Sequence, residues 1–68
     1  MNRQLHGWLL AFGADGHSVG LPRRIAWPAT VEDLLRMFRD EPQAARVEGW
    51  HLGRRADAWW REKVRVSA

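Results

Sequence analysis

The chain has 68 residues and no cysteine, and this combination limits how it can become stable. A domain of this length buries a small core, so it usually needs disulfides, a metal, oligomerisation or dense aromatic packing. Disulfides and thiolate metal sites are excluded, whereas five Trp and two Phe supply large apolar side chains. We therefore expect one compact domain spanning residues 1–68 with tryptophan in its core. A homodimer is the other reinforcement that we consider.

Residues 5–27 have the pattern of a β-hairpin. Residues 13–16 are typical of a turn, and the Asp15-Gly16 dipeptide favours a two-residue type I′ loop. With that loop, the alternation of side chains predicts that one face of the hairpin is the core side. Its residues would be Trp8, Leu10, Phe12, Val19, Leu21 and Ile25.

Pro22 indicates where the second strand of this hairpin lies in the sheet. Proline has no N–H to donate, so it fits where the backbone N–H points away from a neighbouring strand. We therefore expect the second strand at an edge of the sheet, and we expect any further strand to pair with the first.

Residues 31–39 are predicted to form an α-helix. Thr30 is a favourable N-cap, and Asp33 follows at the capping-box position. Apolar residues then recur with the i, i+3, i+4, i+7 spacing of one buried stripe. These residues are Val31, Leu34, Leu35 and Phe38. Pro42 ends the helix by Asp40 or Glu41.

The C-terminal third permits alternatives. A strand is predicted from about Arg46 to Leu52, because a glycine within this segment disfavours a helix. Residues 56–66 fit a strand, which would bury Trp60 and expose Trp59, or a helix in which both tryptophans share one stripe. We favour the strand, with residues 53–57 as the turn of a second hairpin.

These elements together predict an α+β fold. It would be an antiparallel sheet of three to four strands with one helix packed on one face. The order of elements would be ββαββ, or ββαβα if the C-terminal segment is helical.

The formal net charge of +3 lies entirely in the last fifteen residues. Residues 1–53 contain six Arg and six acidic residues, whereas residues 54–68 contain five basic and two acidic residues. On a strand, tryptophan and cationic side chains would alternate along one outward face, and two arginines of the turn would extend it. The predicted binding residues are Arg54, Arg55, Trp59, Arg61, Lys63 and Arg65.

An aromatic and cationic strip of this kind suits two classes of partner. Trp and Arg are enriched at binding hot spots, so another protein is the first candidate, and the chain would be an inhibitor, adaptor or regulator. The same strip can stack a base and neutralise phosphates, which makes nucleic acid the alternative. A solvated polar face is the simplest explanation of the charge alone.

No motif in the chain indicates a reaction. His6, His17 and His51 are scattered singly, and there is no serine–histidine–acid arrangement. We therefore expect a protein that is not an enzyme and has no metal, no cofactor and no catalytic residue. The sequence lacks a signal-peptide pattern and a long apolar stretch, so it predicts a cytoplasmic protein without a membrane partner. Frequent Ala, Arg, Gly and Trp with one Lys are typical of GC-rich bacterial or phage genes.

Overall fold

The computed structural model describes residues 5–66, which form a four-stranded antiparallel sheet and two helices. The elements are β1 (His6–Gly13), β2 (Ser18–Ala26), α1 (Val31–Asp40), β3 (Ala44–His51), β4 (Arg54–Trp60) and α2 (Arg61–Val66). The order of strands in the sheet is β2-β1-β3-β4. The predicted α+β class and ββαββ order are confirmed, and the short helix α2 follows β4.

Strand β2 lies at an edge of the sheet, and β3 pairs with β1, as Pro22 led us to expect. Three residues of β2, 20–22, lie opposite the single residue Leu10, so the pairing is irregular where the proline stands. Gly20 has a φ of +68°, which glycine adopts readily. Leu21 was predicted to be inside the core, but in this irregular stretch it is 83% exposed.

The first hairpin closes through a three-residue loop, so the predicted type I′ loop at Asp15-Gly16 is wrong. The Gly13 N–H donates to the His17 carbonyl oxygen at 2.9 Å, and the Gly16 N–H donates to the Gly13 carbonyl oxygen at 3.0 Å. Gly16 has a φ of +86°, which the third residue of such a loop requires. The hairpin itself is confirmed.

The longer loop shifts the register of the first hairpin by one residue, and this reverses the two faces of β1. Leu9 and Ala11 are 0% and 2% exposed, and they form the core side of the strand. Because the side chains of a strand alternate, a shift of one residue exchanges its faces. The prediction that Trp8, Leu10 and Phe12 form the core side is therefore wrong.

Helix α1 forms as its sequence predicts. The Thr30 side-chain oxygen accepts from the Asp33 N–H at 3.2 Å, and the Asp33 carboxylate accepts from the Thr30 N–H at 2.9 Å. Of the predicted stripe, Leu34 and Phe38 are buried, whereas Val31 is 56% exposed. Met37, which the predicted stripe omitted, is fully buried.

Both helices pack on the face of the sheet that carries the core side of β1. Residues from α1 and α2 meet residues from β1 and β3 there, and together they form one cluster. The buried cluster consists of Leu9, Ala11, Leu34, Met37, Phe38, Ala44, Val47 and Val64.

Strands β3 and β4 form a second hairpin around the two-residue loop Leu52-Gly53. Both loop residues have positive φ, +56° and +76°, as a type I′ loop requires. The predicted strand over 46–52 is confirmed with the bounds 44–51. The predicted turn at 53–57 is wrong, because β4 begins at residue 54.

The C-terminal segment is a strand as far as Trp60 and a helix after it, so each alternative holds for one half. Trp59 packs against the core, whereas Trp60 is 46% exposed. The prediction that Trp60 is buried and Trp59 faces outward is therefore wrong. The prediction assumed that Val64 continues the strand and faces the core together with Trp60. Val64 is buried, but it lies in α2, so its burial does not show which face of β4 is buried.

Candidate functional site

The described helices pack on one face of the sheet, and the opposite face is left open. We call this second face the open face. Alternation along the strands places a set of aromatic and charged residues on it. These residues are Trp8, Phe12, Arg24, Arg46, Glu48, Trp50, Arg55 and Trp60.

A first row of side chains crosses all four strands of the open face. Trp8 pairs with Arg24 of β2 on one side and with Trp50 of β3 on the other. Trp50 in turn pairs with Arg55 of β4. Neighbouring strands are about 4.8 Å apart, so the row spans about 14 Å. Two indoles therefore lie side by side with an arginine at each end.

A second row crosses the open face four residues further along β1. Phe12 pairs with Ser18 of β2 and with Arg46 of β3, and Arg46 pairs with Trp60 of β4. The Arg46 guanidinium carbon lies 4.6 Å from the centre of the Phe12 ring, within the range of a cation–π contact. Four residues of strand separate the two rows by about 13 Å.

Glu48 lies between the two rows and connects them. Its Oε1 accepts from the Trp50 indole Nε1 at 3.1 Å, and its Oε2 lies 3.2 Å from an Arg46 nitrogen and 3.7 Å from an Arg55 nitrogen. The residue is 6% exposed, and a buried carboxylate is stable only when it is paired in this way. Glu48 therefore holds side chains of both rows in place.

The charge that the open face presents to solvent is positive. Its described charged side chains are three arginines and Glu48, and the glutamate is covered by its partners. The Arg55 side chain is 60% exposed, and Arg24 is also exposed. Within the described residues, the Nε atom of Arg46 is buried and has no hydrogen-bond partner.

The six predicted binding residues do not form one continuous row. Arg55 lies on the open face, whereas Arg54 pairs with His51, whose ring stacks on Trp27 at 4.9 Å between ring centres. Trp59 lies on the opposite face, against the core. The predicted outward strip is wrong because the strand ends at residue 60 and a helix follows.

Arg61 anchors the chain at the junction of β4 and α2. Its guanidinium donates to the backbone carbonyl oxygens of Phe38, Glu41 and Ala44 at 2.9, 2.8 and 2.7 Å. It also lies 4.8 Å from the centre of the Phe38 ring. These contacts join α2 to the C-terminal end of α1, so the position of Arg61 indicates a structural role.

Lys63 and Arg65 follow in α2. Lys63 is exposed and lines a groove of about 400 Å³ between the helices and β4, together with Trp59 and Val31. The side chain of Arg65 lies outside the described part of the chain.

Sequence reasoning missed most of the open face. Its residues come from all four strands, so they form no pattern along one segment. Both faces of β1 are apolar, and the sequence therefore predicts Trp8 and Phe12 on the core side. One usable signal was residue size. The Trp27 ring lies against Gly7, the Trp27 and Trp59 rings lie against Gly49, and β1 has Ala11 on the same side. A face with such small residues is suited to close packing.

The histidines are not brought together. His6 is exposed at the start of β1, and the His17 Nδ1 lies 3.2 Å from the Asp15 carboxylate at the first loop. Across residues 5–66 no three His, Cys, Asp or Glu side chains are arranged to hold a metal ion.

Comparison with known proteins gives no relative: no family model, no curated protein and no solved structure matches this chain significantly. Neither of the two helices in the described part of the chain has the length and apolar character needed to cross a membrane.

Proposed function

We propose that this chain is a small, non-enzymatic protein that binds an acidic macromolecule on its open face. The observation that carries the proposal is the first row, in which Arg24, Trp8, Trp50 and Arg55 stand side by side across the sheet. Arginine supplies a fork of donors that suits carboxylate or phosphate, and tryptophan supplies a large and rigid contact area.

The exposure of the row supports a role in binding. Trp8 is 47% exposed, and the Arg55 side chain is 60% exposed. In a small domain that needs its large aromatic residues for packing, leaving two tryptophans half exposed on one face costs stability. Trp60, in the second row of the same face, is the other half-exposed tryptophan.

The pairing of Glu48 supports a binding role over a catalytic one. Both carboxylate oxygens are engaged, one by the Trp50 indole and the other by two arginines. A general base needs access to the proton that it removes, whereas this carboxylate is covered by the side chains that it orients.

Both partner classes indicated by the sequence, an acidic protein surface and a nucleic acid, offer the negative charge that this face attracts. Electrostatic attraction of this kind accelerates association and weakens as salt is added. An inhibitor, adaptor or regulator would use the face in the same way.

The proposal is tested by comparing two variants that lose the same charge. Arg24→Ala/Arg55→Ala removes two arginines from the open face, and Arg36→Ala/Arg39→Ala removes two exposed arginines from α1. Each variant and the wild type capture macromolecules from an extract of the native host, with and without nuclease. We expect the open-face variant to lose an acidic macromolecule that the α1 variant retains.

Two outcomes contradict the proposal. Retention of the same macromolecules by the open-face variant would show that the face does not bind them. An equal loss in both variants would show that overall charge, and not this surface, causes the capture.

A further inference from the structure

We infer that the acidic macromolecule is a single-stranded nucleic acid whose bases stack on Trp8 and Trp50 while its phosphates meet Arg24 and Arg55. This inference rests on the proposed use of the open face.

The side-by-side indoles favour unpaired bases. Trp8 and Trp50 are directly opposite each other on β1 and β3, with an arginine beyond each of them. Stacking on an aromatic side chain stabilises a bound base by about 1–3 kcal/mol, and every base has a π face to offer. A duplex hides these faces inside its own stack, so the row suits a single strand.

Charge at the centre of the open face argues against a protein partner. Protein interfaces are depleted of charged residues at their core, and glutamate is among the depleted types. Here Glu48 lies between the two rows, in the middle of the face, and it is paired with Arg46 of the second row. A flexible strand can place its bases on the rows and leave this ion pair undisturbed.

A second copy of the chain is also a poor occupant. Face-to-face pairing would bring the arginines of one open face against those of the other. The described face has no uncovered acidic side chain to balance them, because its glutamate is already paired. Like charges opposed across an interface disfavour association.

The spacing of the rows sets the expected length of the bound segment. They lie about 13 Å apart, so a single strand that contacts both rows must span several nucleotides. Trp60 would receive a base at the second row, next to Arg46, whose guanidinium lies on the Phe12 ring. Stacking and phosphate contacts predict binding with little sequence preference.

Fluorescence anisotropy with labelled oligonucleotides of about twelve nucleotides tests the inference. The probes are single-stranded DNA and RNA of mixed sequence, the DNA duplex of the same sequence, and poly-glutamate as a polyanion without bases. We expect each single strand to bind at least about tenfold tighter than the duplex or poly-glutamate, because base stacking adds to charge. The logarithm of the affinity should fall linearly with the logarithm of the salt concentration.

Substitutions at Trp8 distinguish stacking on an aromatic ring from contact with a large apolar side chain. Trp8→Phe keeps a π face, whereas Trp8→Leu keeps only an apolar side chain, so we expect affinity to fall in the order Trp, Phe, Leu, by about tenfold overall. Arg24→Ala/Arg55→Ala should reduce the salt slope by about two, and Arg36→Ala/Arg39→Ala should leave it nearly unchanged. Thermal unfolding of each variant confirms that it is folded.

The outcomes distinguish this inference from the proposed function. If single strands do not bind at low salt, but an open-face-dependent macromolecule is still captured after nuclease treatment, the partner is a protein and the nucleic-acid inference is wrong. Equal affinity for single strand, duplex and poly-glutamate would also overturn it, because charge alone would then explain binding. If capture shows no dependence on the open face either, both proposals fail.

Discussion

Trp59 and Trp60 are consecutive residues that lie on opposite faces of the sheet. Trp59 is opposite the fully buried Val47, and its ring covers Gly49, where an added Cβ would lie 2.8 Å from the ring atom Cη2. Trp60 is opposite Arg46 on the open face and is 46% exposed. The two neighbouring tryptophans therefore have different structural roles.

Replacing each tryptophan in turn tests this division. Trp59→Ala should lower the free energy of unfolding by about 2–4 kcal/mol, because it removes a large ring that packs on the core. Trp60→Ala should lower it by less than about 1 kcal/mol, because half of that ring already contacts solvent. Chemical denaturation with fluorescence and circular dichroism measures both values. Equal losses in the two variants would contradict the assignment of faces.

Arg61 should matter for stability more than an exposed arginine does. Arg61→Ala removes three hydrogen bonds to backbone carbonyl oxygens at the junction of β4 and α2, and we expect a loss of about 2–3 kcal/mol. Arg61→Lys should be intermediate, because an ammonium cannot reproduce the planar fork of donors. The exposed Arg54 provides the control, and Arg54→Ala should change stability by less than about 0.5 kcal/mol. A similar effect at both positions in urea unfolding would contradict the anchoring role.

Glu48 should be coupled more strongly to Arg46 than to Arg55. The Arg46 pair is shorter, at 3.2 Å against 3.7 Å, and the Arg46 side chain is 29% exposed against 60% for Arg55. Double-mutant cycles with Glu48→Gln, Arg46→Ala and Arg55→Ala should give coupling energies of about 1 kcal/mol and about 0.3 kcal/mol, respectively. The opposite order would show that Arg55 is the main partner of the carboxylate.

Asp15 should make a small contribution to stability that depends on pH. The His17 backbone N–H, which donates to Asp15 Oδ1 at 3.0 Å, lowers the pKa of this carboxyl below its ordinary value of 3.8, and the His17 side chain lowers it further. A lowered pKa in the folded state stabilises the protein above the ordinary pKa, and this contribution is lost as the pH falls through the folded value. Asp15→Asn keeps an acceptor but cannot ionise.

The melting temperatures of the wild type and Asp15→Asn should therefore differ at neutral pH and converge as the pH falls below the lowered pKa of Asp15. A difference that stays constant with pH would show that ionisation of Asp15 does not stabilise the first loop.

Several elements of the fold follow from local sequence. Thr30 and Asp33 identify the start of α1 because the capping box is formed by residues three apart. Pro22 identifies β2 as an edge strand because a missing N–H cannot serve a neighbour on that side. In each case the deciding interaction lies within a few residues of the chain.

The faces of β1 could not be read from the sequence in the same way. Residues 8–12 are apolar on both faces of the strand, so either register would bury a hydrophobic side chain. The three-residue loop and the packing of Trp27 against Gly7 favour the register in which Leu9 faces the helices. Gly7 and Trp27 are twenty residues apart, so no local sequence pattern shows that they are in contact.

Composition pointed to the right kinds of residue for the candidate site but not to their positions. Tryptophan and arginine do form the open face, and Arg55 of the six predicted residues lies on it. Trp59 instead packs against the core, and Arg61 binds backbone carbonyl oxygens at the junction of β4 and α2. The prediction assumed that one strand carried the whole strip. The structure instead gathers the surface from four strands.

The sequence by itself determined the α+β class, the positions of α1 and the first hairpin, and the edge position of β2, because these depend on caps, turns and a missing N–H. The tertiary structure decided which side of the sheet the helices cover. That choice depends on the summed packing of both faces, which no local segment contains. It places Trp59 against the core, and it leaves Trp8, Trp50 and Trp60 on the open face.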